Sequence, residues 1–215
     1  MAKPAEDDCF RAQCGMMLRL IVLWLLWCAG HSLLITTGVK RWFERRGGAW
    51  LGLYRIGYVC FACCSLLPLL WYTATLPQQP LLAPSASLWL RPIQWLLLLY
   101  ALVLFIGGLR VYNLREFLGL RQWQDYRAGR TSSPPSFSKT GILRYVRHPW
   151  YGGGIALLWS LPGLTDVTLV TRTILSTYLV VGALLEERKL RESLGEPYRA
   201  YCREVPMFIP WKMGR

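Results

Sequence analysis

Long apolar runs set the terms on which this chain can fold. Met16–Thr37 is broken only by Arg19 near its start and His31 in its later half, and at 1.5 Å per residue it outreaches the ~30 Å of hydrocarbon in a bilayer. Trp50–Leu76, with Arg55 near one end, and Leu88–Leu109 are two more such runs. Tyr151–Leu185 is apolar again, too long for one crossing and adequate for two short ones. Pro162, Gly163, Thr165 and Asp166 interrupt it, which predicts a tight helical hairpin. The expected fold is an all-α, multi-pass transmembrane bundle of about five spans, the last two forming the hairpin.

Composition agrees. Of 215 residues, 53% are hydrophobic and 17% charged, more apolar surface than a soluble domain of this length can hide. The net charge of +13 would suggest a nucleic-acid partner in a soluble protein. Here the cations lie between the apolar runs and no nucleic-acid-binding motif accompanies them, so no such partner is expected and membrane lipids are. Seven cysteines include a Cys60–Cys63 pair in CxxC spacing, but no second pair or ligand-spaced His follows. Neither a metal site nor a disulfide framework is expected.

The cations also give sidedness. The loop Val39–Ala49 holds Lys40, Arg41, Arg45 and Arg46, whereas the Pro-rich loop Pro77–Ser87 and the hairpin tip hold none. The connector Arg110–Trp150, irregular around Arg130–Ser138, and the tail after Leu185 are both strongly basic. With five crossings these segments alternate, placing the N-terminus outside and the C-terminus in the cytoplasm. A bacterial inner membrane is favoured, with the endoplasmic reticulum as the alternative. The first run exceeds a signal-sequence core and runs straight into cations, so it is expected to be retained. The expected division is helices 1–3 over 1–109, a basic cytoplasmic connector over 110–148, and a hairpin with its tail over 149–215. Oligomeric state is left open.

Ionisable residues inside the spans are expensive and need a reason. Arg55 is close enough to the cytoplasmic end of its span to snorkel, and His31 can bond a neighbouring helix as a neutral imidazole, or either can line a site. Arg172, near the outer face, is expected to snorkel outward. At the cytoplasmic edge, Arg147-His148-Pro149 runs into Trp150, Tyr151, Gly152, Gly153 and Gly154. Proline suits the first turn of a helix, so the fourth span should begin at Pro149 with Arg147 and His148 at its mouth. The free N–H groups there favour an anion, and glycines admit either a ligand or a neighbouring helix. Glu186 and Glu187 should end the fifth span and return beside Arg147-His148, giving carboxylates for a cation next to donors for an anion.

RHPWYGGG at 147–154, followed by EERKLRESLGEPYRAYCREVP at 186–206, resembles the signature of the isoprenylcysteine carboxyl methyltransferase family and, in weaker form, of phospholipid methyltransferases. Trp27–Thr36 followed by Tyr54-Arg55 resembles the NnrU-like and methanethiol methyltransferase-like bacterial branch. The resemblance implies an integral-membrane methyltransferase using S-adenosylmethionine. It implies that His148, Pro149, Tyr151 and Gly152 contact this cofactor, that Glu186 and Glu187 hold its amino-acid or ribose portion, and that Tyr198, Tyr201, Val205 and Pro206 cover it. Arg147 and Glu187 are then the catalytic candidates, and His31, Arg55 and Arg110 the candidates for contacting the acceptor. Where the eukaryotic enzymes carry an Arg before the acid pair, this chain has Gly182 and Ala183, which leaves a small thiol, a lipophilic acid or a lipid amine as acceptor. Two other readings stand beside it: an NADPH-dependent enzyme like the sterol reductases, and a non-catalytic NnrU-like membrane partner.

Overall fold

The computed structural model describes residues 4–47, 50–130 and 139–212. Most of the irregular connector, Thr131–Ser138, lies outside these, as do Lys3, Gly48 and Ala49. Nine α-helices and one 3₁₀ turn account for the described elements, namely α1 (Pro4–Ile35), α2 (Thr37–Arg46), α3 (Trp50–Thr75), α4 (Pro84–Val111), α5 (Leu114–Phe117), α6 (Leu120–Arg127), the 3₁₀ turn Gly141–Arg144, α7 (Pro149–Ser160), α8 (Asp166–Leu194) and α9 (Glu196–Glu204).

Four stretches are long and apolar enough to cross a membrane, namely Arg11–Ile35, Gly52–Thr75, Ser87–Val111 and Asp166–Leu194. Their outward side chains are apolar, with Leu26 63%, Leu67 65% and Trp89 83% exposed, a surface that suits lipid and would be insoluble in water. The protein is an integral membrane protein. The expected fourth span is a different case. α7 begins at Pro149, but its 12 residues reach only ~18 Å. Leu161 is extended ahead of Pro162, as a residue before proline tends to be, and Gly163 turns the chain at φ +74°. Among the described residues, then, four helices are long enough to cross a membrane and α7 is not.

The described residues group into two compact units, interleaved along the chain. The first contains α1, α2, α3, α6 and the start of α8 through Ile174. In it α1 and α3 are joined by side-chain bonds along their length: Trp24 Nε1 donates to Thr73 Oγ1 at 3.2 Å, Trp27 Nε1 to Ser65 Oγ at 3.0 Å, and the Tyr54 hydroxyl to the Leu34 carbonyl. At one end, Asp166 gathers three segments. Its carboxylate accepts from Gln13 Nε2 at 3.1 Å and from the Gln79 N–H at 2.9 Å, and its own N–H donates to the Gln79 carbonyl at 3.1 Å. Within this unit the start of α1, Gln79 after α3 and the start of α8 therefore meet at one end. Arg172 is 5% exposed and engaged by a neighbour, so it does not snorkel outward as expected.

The second unit contains α4, α5, the 3₁₀ turn, α7, α8 from Leu175 and α9. α7 lies antiparallel against α4, with glycines where the helices touch. A Cβ on Gly108 would come within 2.2 Å of Trp150 Nε1, and one on Gly153 within 3.4 Å of Leu104 Cβ. At its far end the Leu161 carbonyl accepts from Gln94 Nε2 at 3.2 Å, about two turns inside the spanning part of α4. The hairpin closes just as tightly, since Cβ atoms on Gly154 and Gly182 would lie 3.0 Å from Leu179 and 3.1 Å from Tyr151. Among the two roles open to the 152–154 glycines, all three pack against protein.

Candidate functional site

α8 does not end at the acid pair. It continues to Leu194, where Gly195 breaks it at φ +66°. The cause is local: Arg191 Nη2 reaches Glu187 Oε2 at 2.7 Å and Arg188 Nε reaches Glu192 at 3.1 Å, two i,i+4 pairs that carry the helix onward. Helix periodicity then separates the acids. Glu187 is 1% exposed, while Glu186 lies on the surface.

Around Glu187 the second unit assembles a buried ionic knot. Arg147 Nε and Nη2 both lie 2.6 Å from Oε1, and the two side chains are almost wholly buried. Arg147 Nη1 donates to the Cys202 carbonyl at 3.0 Å and to the Val205 carbonyl. Its backbone N–H donates to Pro206 at 3.0 Å and that of His148 to Met207 at 3.1 Å. One arginine thus ties the entrance of α7 to α8 and to the segment after α9. His148, 4% exposed, places Nε2 3.3 Å from Glu187 Oε1 without hydrogen-bonding alignment, and this buried nitrogen makes no hydrogen bond among the described residues. Tyr151 meets the His148 ring edge-on at 5.6 Å. The groups with capacity left for a bound molecule are His148 Nε2, Glu186 and the half-exposed Arg191.

Tyr198, Tyr201 and Val205 form a small core with Leu190 and Leu194, and the Tyr201 hydroxyl donates to the Leu143 carbonyl at 2.6 Å. Burial raises both phenols above their usual range, assisted by the Glu187 charge at Tyr198 and by Tyr112 at Tyr201. Pro149 and Gly152 are buried too, Gly152 against Leu104 and the Phe208 carbonyl. Arg110 is exposed in the last turn of α4. In the first unit His31 Nε2 lies 2.5 Å from the Tyr58 hydroxyl, its ring stacks 5.0 Å from Trp27, and Arg55 stands 5.8 Å over the Tyr58 ring. The structure thus joins His31 and Arg55 through Tyr58. Residues that sequence reasoning missed are Arg191, signalled by its i,i+4 spacing from Glu187, and Tyr112. Burial and then the Glu186 carboxylate push the Tyr112 phenol up. The Tyr100 hydroxyl, at 2.5 Å, holds the Phe208 carbonyl and had no sequence signal.

A membrane bundle that buries a carboxylate between two arginines beside a short helical hairpin defines a polar site built into an integral membrane protein. The chain belongs to the NnrU protein family, whose model matches residues 19–206. It is 31% identical over 198 residues to methanethiol S-methyltransferase 1 of Bradyrhizobium diazoefficiens, covering 89% of this chain and 66% of that one. The methanethiol S-methyltransferase of Mycobacterium tuberculosis is 31% identical over 197 residues, 89% of this chain and 77% of that one. Nurim of Mus musculus is 28% identical over 178 residues, 80% of this chain and 66% of that one. The chain thus spans about two thirds of the first relative's length. No solved structure matches it.

Proposed function

We propose that this chain is an integral-membrane, S-adenosylmethionine-dependent methyltransferase acting on a small acceptor that enters from the bilayer, a thiol in the first place. The observation that carries it is the direct junction of the Arg147-His148 entrance of α7 with Glu187 of α8. Relatives named for methanethiol S-methylation support the reaction class and favour a thiol over a lipophilic acid or a lipid amine.

The residues present fit the cofactor. A zwitterionic amino acid joined to a sulfonium needs a carboxylate for its cations, a cationic donor for its carboxylate and a polar atom to fix its orientation. Glu186, Arg191 and the unbonded His148 Nε2 offer these three in the second unit. When bound, S-adenosylmethionine supplies an electrophilic methyl group already activated by the sulfonium. The chain's own part is positioning and exclusion of water. Arg147 and Glu187 fix the charge at the α7 entrance, and Tyr151 and Gly152 form its wall. Pro149 sets the first turn. Tyr198, Tyr201, Val205 and Pro206 hold the covering segment that Arg147 ties down. In this reading residues 149–215 carry the cofactor, after helices 1–3 and the connector 110–148. His31, Arg55 and Arg110 are candidates toward the acceptor. The N-terminus lies outside and the C-terminus in the cytoplasm of a bacterial inner membrane.

The test is thermal unfolding of detergent-purified protein with S-adenosylmethionine, S-adenosylhomocysteine or NADPH. Both methyl-transfer ligands should raise the melting temperature, by the equivalent of about 2.7 kcal/mol at a hundredfold excess over Kd. His148→Ala should weaken that rise. Stabilisation by NADPH alone would replace the proposal with a reductase, and stabilisation by none with a non-catalytic partner.

A further inference from the structure

Two short helices clasp the same end of α3 in the first unit. The ring of Phe43 on α2 rests 4.8 Å from Tyr54. On α6, Tyr126 and Trp123 occupy the space above Gly52, where a Cβ would meet them at 2.9 and 3.0 Å. One turn further along α3, the stem of Arg55 covers Gly119, whose φ of +88° starts α6. α2 follows the end of α1 at Ile35 almost without a break, so it begins where a spanning helix has just left the hydrocarbon.

Both helices are amphipathic and cationic. In α2, Lys40, Arg41, Arg45 and Arg46 face only Glu44 in sequence. In and just after α6, Arg121, Arg127 and Arg130 face only Asp125, which is buried and paired with Arg130 at 3.0 Å and Arg121 at 3.9 Å. Arg45 and Arg127 are exposed, and Trp42 and Tyr126 on the same two helices are partly exposed as well. Positive charge next to an amphipathic aromatic at the level of a helix end is the chemistry that meets lipid phosphates.

We propose that α2 and α6 form a binding surface for the phosphate groups of anionic phospholipids at this end of α3. The surface is independent of the methyl-transfer reading, since every residue in it belongs to the first unit. Each arginine close to an anionic membrane favours association about fivefold, and the attraction fades as salt shortens the screening length to ~3 Å at 1 M.

The full chain reconstituted in nanodiscs of phosphatidylcholine, with or without phosphatidylglycerol, tests this. The melting temperature should be higher with phosphatidylglycerol, and native mass spectrometry should show phosphatidylglycerol retained in preference to phosphatidylcholine. Both effects should shrink at high salt. Arg45→Gln with Arg127→Gln should abolish the preference while leaving the melting temperature in pure phosphatidylcholine unchanged. Arg144→Gln with Arg199→Gln, an equal loss of charge in the second unit, should retain it. A preference that survives the first pair, or that falls equally with the second, overturns the assignment. So does displacement of the lipid by single-stranded RNA at equal phosphate concentration.

Discussion

Glu186 and Glu187 are neighbours in sequence that serve different environments. Glu187→Gln would leave Arg147 buried without its counter-charge, and removal of one partner from such a pair costs about 3–5 kcal/mol. Glu186→Gln, on the surface, should change stability by no more than about 0.5 kcal/mol. Thermal unfolding of the two variants in the same detergent separates them, and equal losses would contradict the geometry. Tyr198 and Tyr201 make a second residue-scale prediction. Their folded-state values are raised, so on alkalinisation the unfolded chain releases these protons first, beginning near the ordinary phenol value of about 10. The stability they contribute is whole below that pH and is lost as pH climbs above it. Tyrosinate absorbance should therefore lag in the folded protein and jump on unfolding. Of these residues, Arg147, His148 and Glu187 were legible in the sequence, because motif and hairpin placed them together. The carbonyls of Cys202 and Val205 that Arg147 binds were not, since every residue has a carbonyl and only the fold-back of the tail selects these two.

Helix contacts here are graded by what a methyl group would strike. Gly108→Ala would drive a Cβ into the Trp150 indole and force α4 and α7 apart, with an expected loss of about 1–3 kcal/mol. Gly57→Ala, in open space inside α3, should instead be neutral or gain up to about 1 kcal/mol through helix propensity. Unfolding of both variants in detergent checks the contrast. Element starts read well from sequence where covalent geometry decides them, as Pro149 does for α7. Element ends read less well. The acid pair looked like a terminus because the apolar run stops at Leu185, yet the helix dipole disfavours carboxylates at a C-terminal end and pairing of Glu187 with Arg191 carries α8 on to Leu194. The stop of α7 at Pro162 was legible too; apolarity did not reveal that the 12 residues before it reach only ~18 Å, short of a crossing.

For the molecule as a whole, the Asp166 junction gathers three uncharged or weakly charged segments, and the basic helices α2 and α6 meet the opposite end of α3 from the one that leads to Gln79. Single cysteines replacing Gln78 and Arg45, in a background lacking other cysteines, should react with a membrane-impermeant maleimide from opposite sides of intact cells or inverted vesicles. Position 78 should label from outside. Labelling of both from one side would overturn the proposed orientation. α7 has a final consequence inside the membrane. Stopping level with Gln94, it leaves ~10 Å of the spanning part of α4 without α7 beside it. A helix ending at that depth leaves carbonyl groups without helical partners where no water is at hand, and Gln94 supplies the donor for one of them at Leu161, which gives a polar side chain inside an apolar run a structural use.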